Sequence, residues 1–159
     1  MTPEQKQLVK DSWAKVLPIK DTAAELFYGR LFDTYPEVRP YFKGDMKEQG
    51  RKLMAMLNTA VNGLDNLESL LEPLKKMGKA HAGYGVKAED YDKVGAAFLW
   101  TLEKGLGDAF TPEVKEAWTV TYGTVAQVMI EGADYPKAAA DEPKLRWWQT
   151  VFGAKAAAS

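Results

Sequence analysis

The sequence predicts an all-α fold, and three observations carry that reading. Apolar residues recur at spacings of three and four from one end of the chain to the other, the period of a helix with one buried face. No hairpin dipeptide stands between two runs of alternating apolar and polar residues. Helix starts are marked twice by a threonine cap followed by proline, at Thr2-Pro3 and Thr111-Pro112. At 159 residues the chain fits one domain, and a fold of that size buries about 70% of its unfolded surface.

Taken in order, a first helix is expected after Thr2-Pro3, with Leu8, Trp13, Val16 and Leu17 facing inward until Pro18 stops it. A second is expected over about 22–34, with Leu26, Phe27, Leu31 and Phe32 apolar. Pro36 and Pro40 then bracket a short turn leading into Tyr41-Phe42, and Lys43-Gly44-Asp45 reads as a loop. Helical pattern resumes at about Met46 and stops at Asn62-Gly63. Leu67, Leu70, Leu71 and Leu74 belong to a further helix that runs into Lys79-Ala80-His81. After Gly83-Tyr84-Gly85 come two long amphipathic segments, about 88–105 and 112–131. Residues 1–135 are read as the domain and 136–159 as a C-terminal extension, in which Trp147, Trp148 and Phe152 mark a short aromatic helix. No internal repeat or long heptad run occurs.

Composition excludes whole classes of chemistry. With 21 basic and 22 acidic residues the net charge is −1, so no electrostatic footprint for a nucleic acid exists. Cysteine is absent, which removes disulfides, thiolate nucleophiles and iron–sulfur ligation. The first residues lack the pattern of a signal peptide, and no apolar run reaches the roughly 18 residues of a membrane span, so a cytoplasmic protein without a membrane span is expected. His81 is the only histidine. A histidine-cluster zinc site is therefore impossible, and any imidazole chemistry passes through that residue.

Three readings of His81 follow from its chemistry: a histidine without function, a lone general base, or the single protein ligand of a haem iron. A general base needs an oriented partner, and no neighbouring motif supplies one. The glycine-loosened corner Gly83-Tyr84-Gly85 after a helix end would let the imidazole project into a pocket. Phe42, Tyr28 and Gln49, from other segments, would give that pocket an aromatic wall and a few hydrogen-bonding groups.

These stretches also carry a resemblance. Phe27-Tyr28-Gly29-Arg30-Leu31-Phe32, then Tyr35 to Phe42, then Lys79-Ala80-His81 with Gly85-Val86, and finally Ala117-Trp118 with Tyr122-Gly123, resemble the globin family. The likeness spans roughly residues 4–132 and is strongest to single-domain bacterial haemoglobins related to flavohaemoglobins; neuroglobins are also similar. It implies a globin fold, a 3-on-3 helical sandwich around haem b, with His81 as iron ligand and Phe42 as the aromatic against the porphyrin. Tyr28 and Gln49 match the ligand-stabilising positions of the opposite face. Leu53 would close that side, Lys52 would reach a propionate, and Met77 would pack under the ring. Val86, Tyr91, Val94 and Phe98 would line the remaining walls.

The same resemblance implies reversible oxygen binding (oxygen transport) at a pentacoordinate ferrous haem, with reactivity toward nitric oxide. The alternatives are a nitric oxide dioxygenase or a nitrite- or peroxide-reactive enzyme served by a separate reductase, and a redox or gas sensor. Carbon monoxide is a further expected ligand, and a monomer or weak homodimer the expected state. Two departures matter. The glutamate that flavohaemoglobins hold near the proximal histidine aligns with Ala133, and Glu131 would face elsewhere. These 159 residues also offer no second histidine to close the opposite iron face, leaving Lys52 and Tyr28 as the internal alternatives.

Overall fold

Thr2 begins the fold with a reciprocal cap. Its hydroxyl accepts from the Gln5 N–H at 3.1 Å, and the Gln5 side chain accepts from the Thr2 N–H at 3.0 Å. Helix α1, Pro3–Val16, follows. Then come α2, Lys20–Thr34; α3, Met46–Asn62; α4, Glu68–Gly83; α5, Asp90–Leu106; and α6, Pro112–Ala133. The computed structural model describes residues 1–133; residues 134–159, including the boundary expected at 135 and the aromatic segment around Trp147-Trp148, lie outside the described residues. No strand occurs among the described residues, and none of their helices is long and apolar enough to cross a membrane.

Side chains and glycines set the helix ends. Asp45 caps α3 by accepting from the Lys47 N–H at 2.9 Å, and Thr111 caps α6 by accepting from Val114 at 3.2 Å. Gly107, at φ +54°, closes α5 in a conformation that a side chain would strain. Two connections differ in form from the expectation. Leu17–Ile19 is a turn of 3-10 helix that leads directly into α2, which therefore starts at Lys20 rather than near 22. Pro36–Tyr41 is likewise six residues of 3-10 helix rather than an irregular turn, because each proline presets φ while lacking the N–H that an α-turn needs.

Two apolar clusters hold the helices together. In the larger one, Val9, Trp13 and Val16 of α1 meet Phe27 and Leu31 of α2, Phe98 and Leu102 of α5, and Trp118 of α6. The Trp118 ring packs edge-on against Phe98 at 5.4 Å, and its indole N–H donates to Ser12 Oγ at 2.8 Å, so the polar end of a fully buried residue is satisfied. The smaller cluster joins α4 to α6 through Leu70, Leu74, Ala126 and Met129.

That second contact is made at backbone distance. A methyl group placed on Gly78 would lie 1.9 Å from the Met129 carbonyl oxygen, and one on Gly132 would lie 2.4 Å from Lys75 Cα. Neither obstacle is a flexible side-chain tip, so both positions must be glycine for α4 to rest on α6. Gly78→Ala is expected to lower unfolding free energy in urea by about 3 kcal/mol, the upper end of overpacking costs. Gly29→Ala, where the added methyl meets nothing within 4 Å, should be neutral or slightly stabilising.

Candidate functional site

A cavity of about 570 Å³ lies between the two clusters and takes its walls from both. It falls within the roughly 300–1,000 Å³ of small-molecule and cofactor sites. Phe27 and Tyr28 of α2, Phe42 and Lys43 after the 3-10 segment, and Gln49 and Leu53 of α3 form one side. His81, Val86, Tyr91, Val94 and Phe98 form another, and Thr121, Val125 and Met129 of α6 the floor.

His81 reaches this cavity from the last turn of α4, which ends at Gly83. Val86 N–H donates back to the His81 carbonyl at 3.1 Å, and Gly85 turns the chain at φ +97°, the left-handed region where glycine is needed. The imidazole Nδ1 lies 2.7 Å from the Met77 carbonyl oxygen. A carbonyl can only accept, so Nδ1 carries the proton, and Nε2 of the neutral ring keeps its lone pair. The tertiary structure thus presents one oriented nitrogen base to an otherwise largely apolar space.

Tyr28 lines the same cavity and is 7% exposed. Its ring packs edge-on against Phe42 at 5.4 Å and stacks on Phe32 at 5.8 Å, while Phe32 and Phe42 meet at 5.3 Å. Burial pushes the phenol up to about 12, against a smaller downward pull from its hydrogen bond with Gln49. Tyr28 therefore remains a neutral O–H donor across the physiological range. Gln49 itself is half-buried, one residue before the close contact of Gly50 with Ala24 that sets α3 against α2.

The structure brings Tyr28, Phe42, Gln49, Leu53, His81, Val86, Tyr91, Val94 and Phe98 to one cavity. It does not bring Lys52 or Met77 to the wall. Lys52 is exposed on α3, and Met77 packs with the α4–α6 cluster, meeting His81 through its carbonyl. Glu131 is exposed and lies 3.4 Å from the Gln127 amide one turn earlier, away from the cavity.

Sequence reasoning missed a charged brace at the same site. Asp90, 3% exposed, accepts from the Lys87 N–H at 2.8 Å and from Lys93 Nζ at 3.2 Å, and Lys93 also reaches Glu37 at 3.2 Å. Burial and the Asp90 carboxylate together raise the Tyr41 phenol. Burial alone would lower the Lys93 ammonium, but its bonds to Asp90 and Glu37 raise it. The brace ties the 3-10 segment to the start of α5. Only the spacing of Lys87, Asp90 and Lys93 at a helix start hinted at it. Lys43 on the wall and the 71% exposed Tyr84 near it were also missed.

Helices crossing around a cavity that holds one oriented imidazole define a class. The chain matches the Globin family model over residues 25–129 and belongs to that family. It is 31% identical to a flavohemoprotein of Halalkalibacterium halodurans over 134 residues, covering 82% of this chain but 33% of that protein. A neuroglobin of Chaenocephalus aceratus is 27% identical over 146 residues, covering 83% of this chain and 92% of the neuroglobin. The fold superposes on a hexacoordinated heme protein from an anhydrobiotic tardigrade with a TM-score of 0.77 at 19% identity, covering 85% of this chain and 96% of that one. The expected globin fold is thus observed.

The raised Tyr28 pKa has a consequence for stability. The unfolded phenol ionises near 10 and the folded one near 12, so the contribution is full below about pH 10 and is lost as pH rises toward 12. At about 1.4 kcal/mol per pKa unit, the loss amounts to about 3 kcal/mol. Denaturation between pH 9 and pH 12 should therefore show a steeper alkaline decline for the wild type than for Tyr28→Phe.

Proposed function

We propose that the cavity binds haem b, with His81 as the iron's protein ligand, and that the chain takes oxygen reversibly on the opposite face. The observation that carries this reading is the His81–Met77 hydrogen bond, which leaves Nε2 as the one oriented imidazole donor in a largely apolar cavity. The residues present fit the group: aromatic and aliphatic side chains suit a flat macrocycle, while Lys43 on the wall and Lys52 on the surface suit its carboxylates. When bound, haem supplies an iron with one position for an imidazole and one for a diatomic guest.

The Met77 carbonyl fixes both the tautomer and the direction of the His81 ring, and by drawing on the Nδ1 proton it strengthens Nε2 as a donor of electrons. Phe42, Leu53, Val94 and Phe98 exclude water from the space on either side of a planar guest. On the Tyr28 side, a Gln49 amide N–H given to the phenol oxygen accounts for the downward pull on the phenol and leaves the Tyr28 O–H free to donate into the cavity. Because burial holds that proton on, Tyr28 acts as a donor there rather than as an anionic ligand. With no second imidazole in these 159 residues, His81 would be the one imidazole holding the iron, and the opposite face would stay open to a guest.

On this reading the protein is cytoplasmic and also takes nitric oxide and carbon monoxide. Turnover of nitric oxide would draw electrons from a separate reductase. Fast steady-state nitric oxide consumption with an added reductant would move the assignment from oxygen carrier to enzyme.

The first test is the visible spectrum of the haem-loaded protein reduced under argon. One broad visible band that splits into two on oxygenation is expected; low-spin bands before oxygen, or failure to retain haem, would overturn the five-coordinate reading or the whole assignment. His81→Gly should lose the five-coordinate spectrum and regain it when free imidazole is added. Tyr28→Phe should speed oxygen release by roughly ten- to a hundredfold in stopped flow, since a hydrogen bond to a charged acceptor contributes about 1.5–3 kcal/mol, and Gln49→Leu, which removes the bond that holds the phenol, should speed it in the same direction.

A further inference from the structure

Outside the cavity, a second depression of about 550 Å³ opens along the seam between α2 and α3. Among the described residues, Tyr28 alone belongs to the walls of both. The seam is built from small residues. Gly50 lies so close to Ala24 that an added Cβ would sit 3.0 Å from the alanine methyl, whereas a Cβ on Gly29 would meet nothing within 4 Å. The helices therefore meet closely at Gly50 and Ala24, with room at Gly29, and Tyr28 borders both the depression and the cavity.

The lining has the chemistry of a passage for something small and uncharged. Tyr28, Phe32, Ala24 and Met46 make it apolar within, and its charged groups have both signs, Asp21 and Glu25 against Arg39, Lys47 and Arg51. Arg39 donates to the Phe42 carbonyl at 2.6 Å and lies over the Phe32 ring, and Arg51 lies 3.4 Å from Glu48. No single sign of ion is favoured.

We propose that diatomic gas ligands enter and leave the cavity through this depression, past the Tyr28 ring, and that Tyr28 is the barrier between the two spaces. The proposal rests on the haem-binding reading above. Passage requires the Tyr28 ring to swing out of its contacts with Phe32 and Phe42 and to give up its bond with Gln49, so the side chain that holds a guest also controls its exit. Lys43 and the exposed Tyr84 line the larger cavity at its alternative entrance, and the seam would be a second way in.

Gly29→Trp tests this without touching the cavity wall, since the new side chain starts in open space and fills the depression, and Gly29→Ala is the control. After laser photolysis of the carbon monoxide complex, the tryptophan variant should show association slowed by roughly tenfold and a larger fraction recombining before escape, with the alanine variant unchanged. Independently of ligand kinetics, xenon pressure should shift the Ala24 and Met46 methyl resonances of the wild type and leave them unmoved in Gly29→Trp. Unaltered rates in the tryptophan variant, or no xenon response at Ala24 in the wild type, would overturn the proposal and place entry at the Tyr84 mouth. Failure of the underlying haem reading would show separately, as a missing Soret band, while the xenon shifts still report on the depression.

Discussion

Helix α4 rests on α6 at backbone distance, and the position of the only imidazole follows from that contact. Gly78 and Gly132 allow it by having no side chain where the opposing backbone lies. Gly78 precedes His81 by nearly one helical turn, so the residue that lets α4 approach α6 shares a face with the residue that enters the cavity. A side chain at either glycine would lever α4 outward and carry the imidazole with it. The Met77 carbonyl then sets the ring's rotation and proton, a refinement that matters only because the helix is already seated.

The other side of the cavity depends on a different close approach. Ala24 and Gly50 bring α2 against α3, which places Gln49 beside the Tyr28 hydroxyl. Three rings, Tyr28, Phe32 and Phe42, pack within 6 Å of one another and exclude water there. Burial makes ionisation of the phenol costly, and that cost keeps it a hydrogen-bond donor. Hydrogen-bonding capacity in the cavity is thus concentrated in a few side chains: Tyr28 is held by Gln49 of α3, and His81 by the Met77 carbonyl one turn back in its own helix.

Much of this was legible beforehand. The apolar periodicity located every long helix to within two or three residues, because helix formation answers to local pattern and to caps such as Thr2, Asp45 and Thr111. His81, Phe42, Tyr28 and Gln49 were singled out by the family resemblance of their flanking residues, and all four line one cavity. The brace of Glu37, Lys93 and Asp90 was not, since its members come from a 3-10 segment and from α5, far apart in the chain. Met77 was expected to contribute its side chain and instead contributes a carbonyl, a group that every residue carries and no sequence pattern marks.

One histidine, no cysteine and near-neutral charge follow from the residues alone, and they exclude thiolate chemistry and any site that needs two imidazoles. The helical character is equally a property of the chain, because propensity and periodicity act over a few residues at a time. The volume of the cavity, the neutral state of Tyr28 and its place in the walls of both depressions were decided only by tertiary structure. Each depends on distances between helices, and those are set where glycines let backbones meet and where rings from separate segments fill what remains.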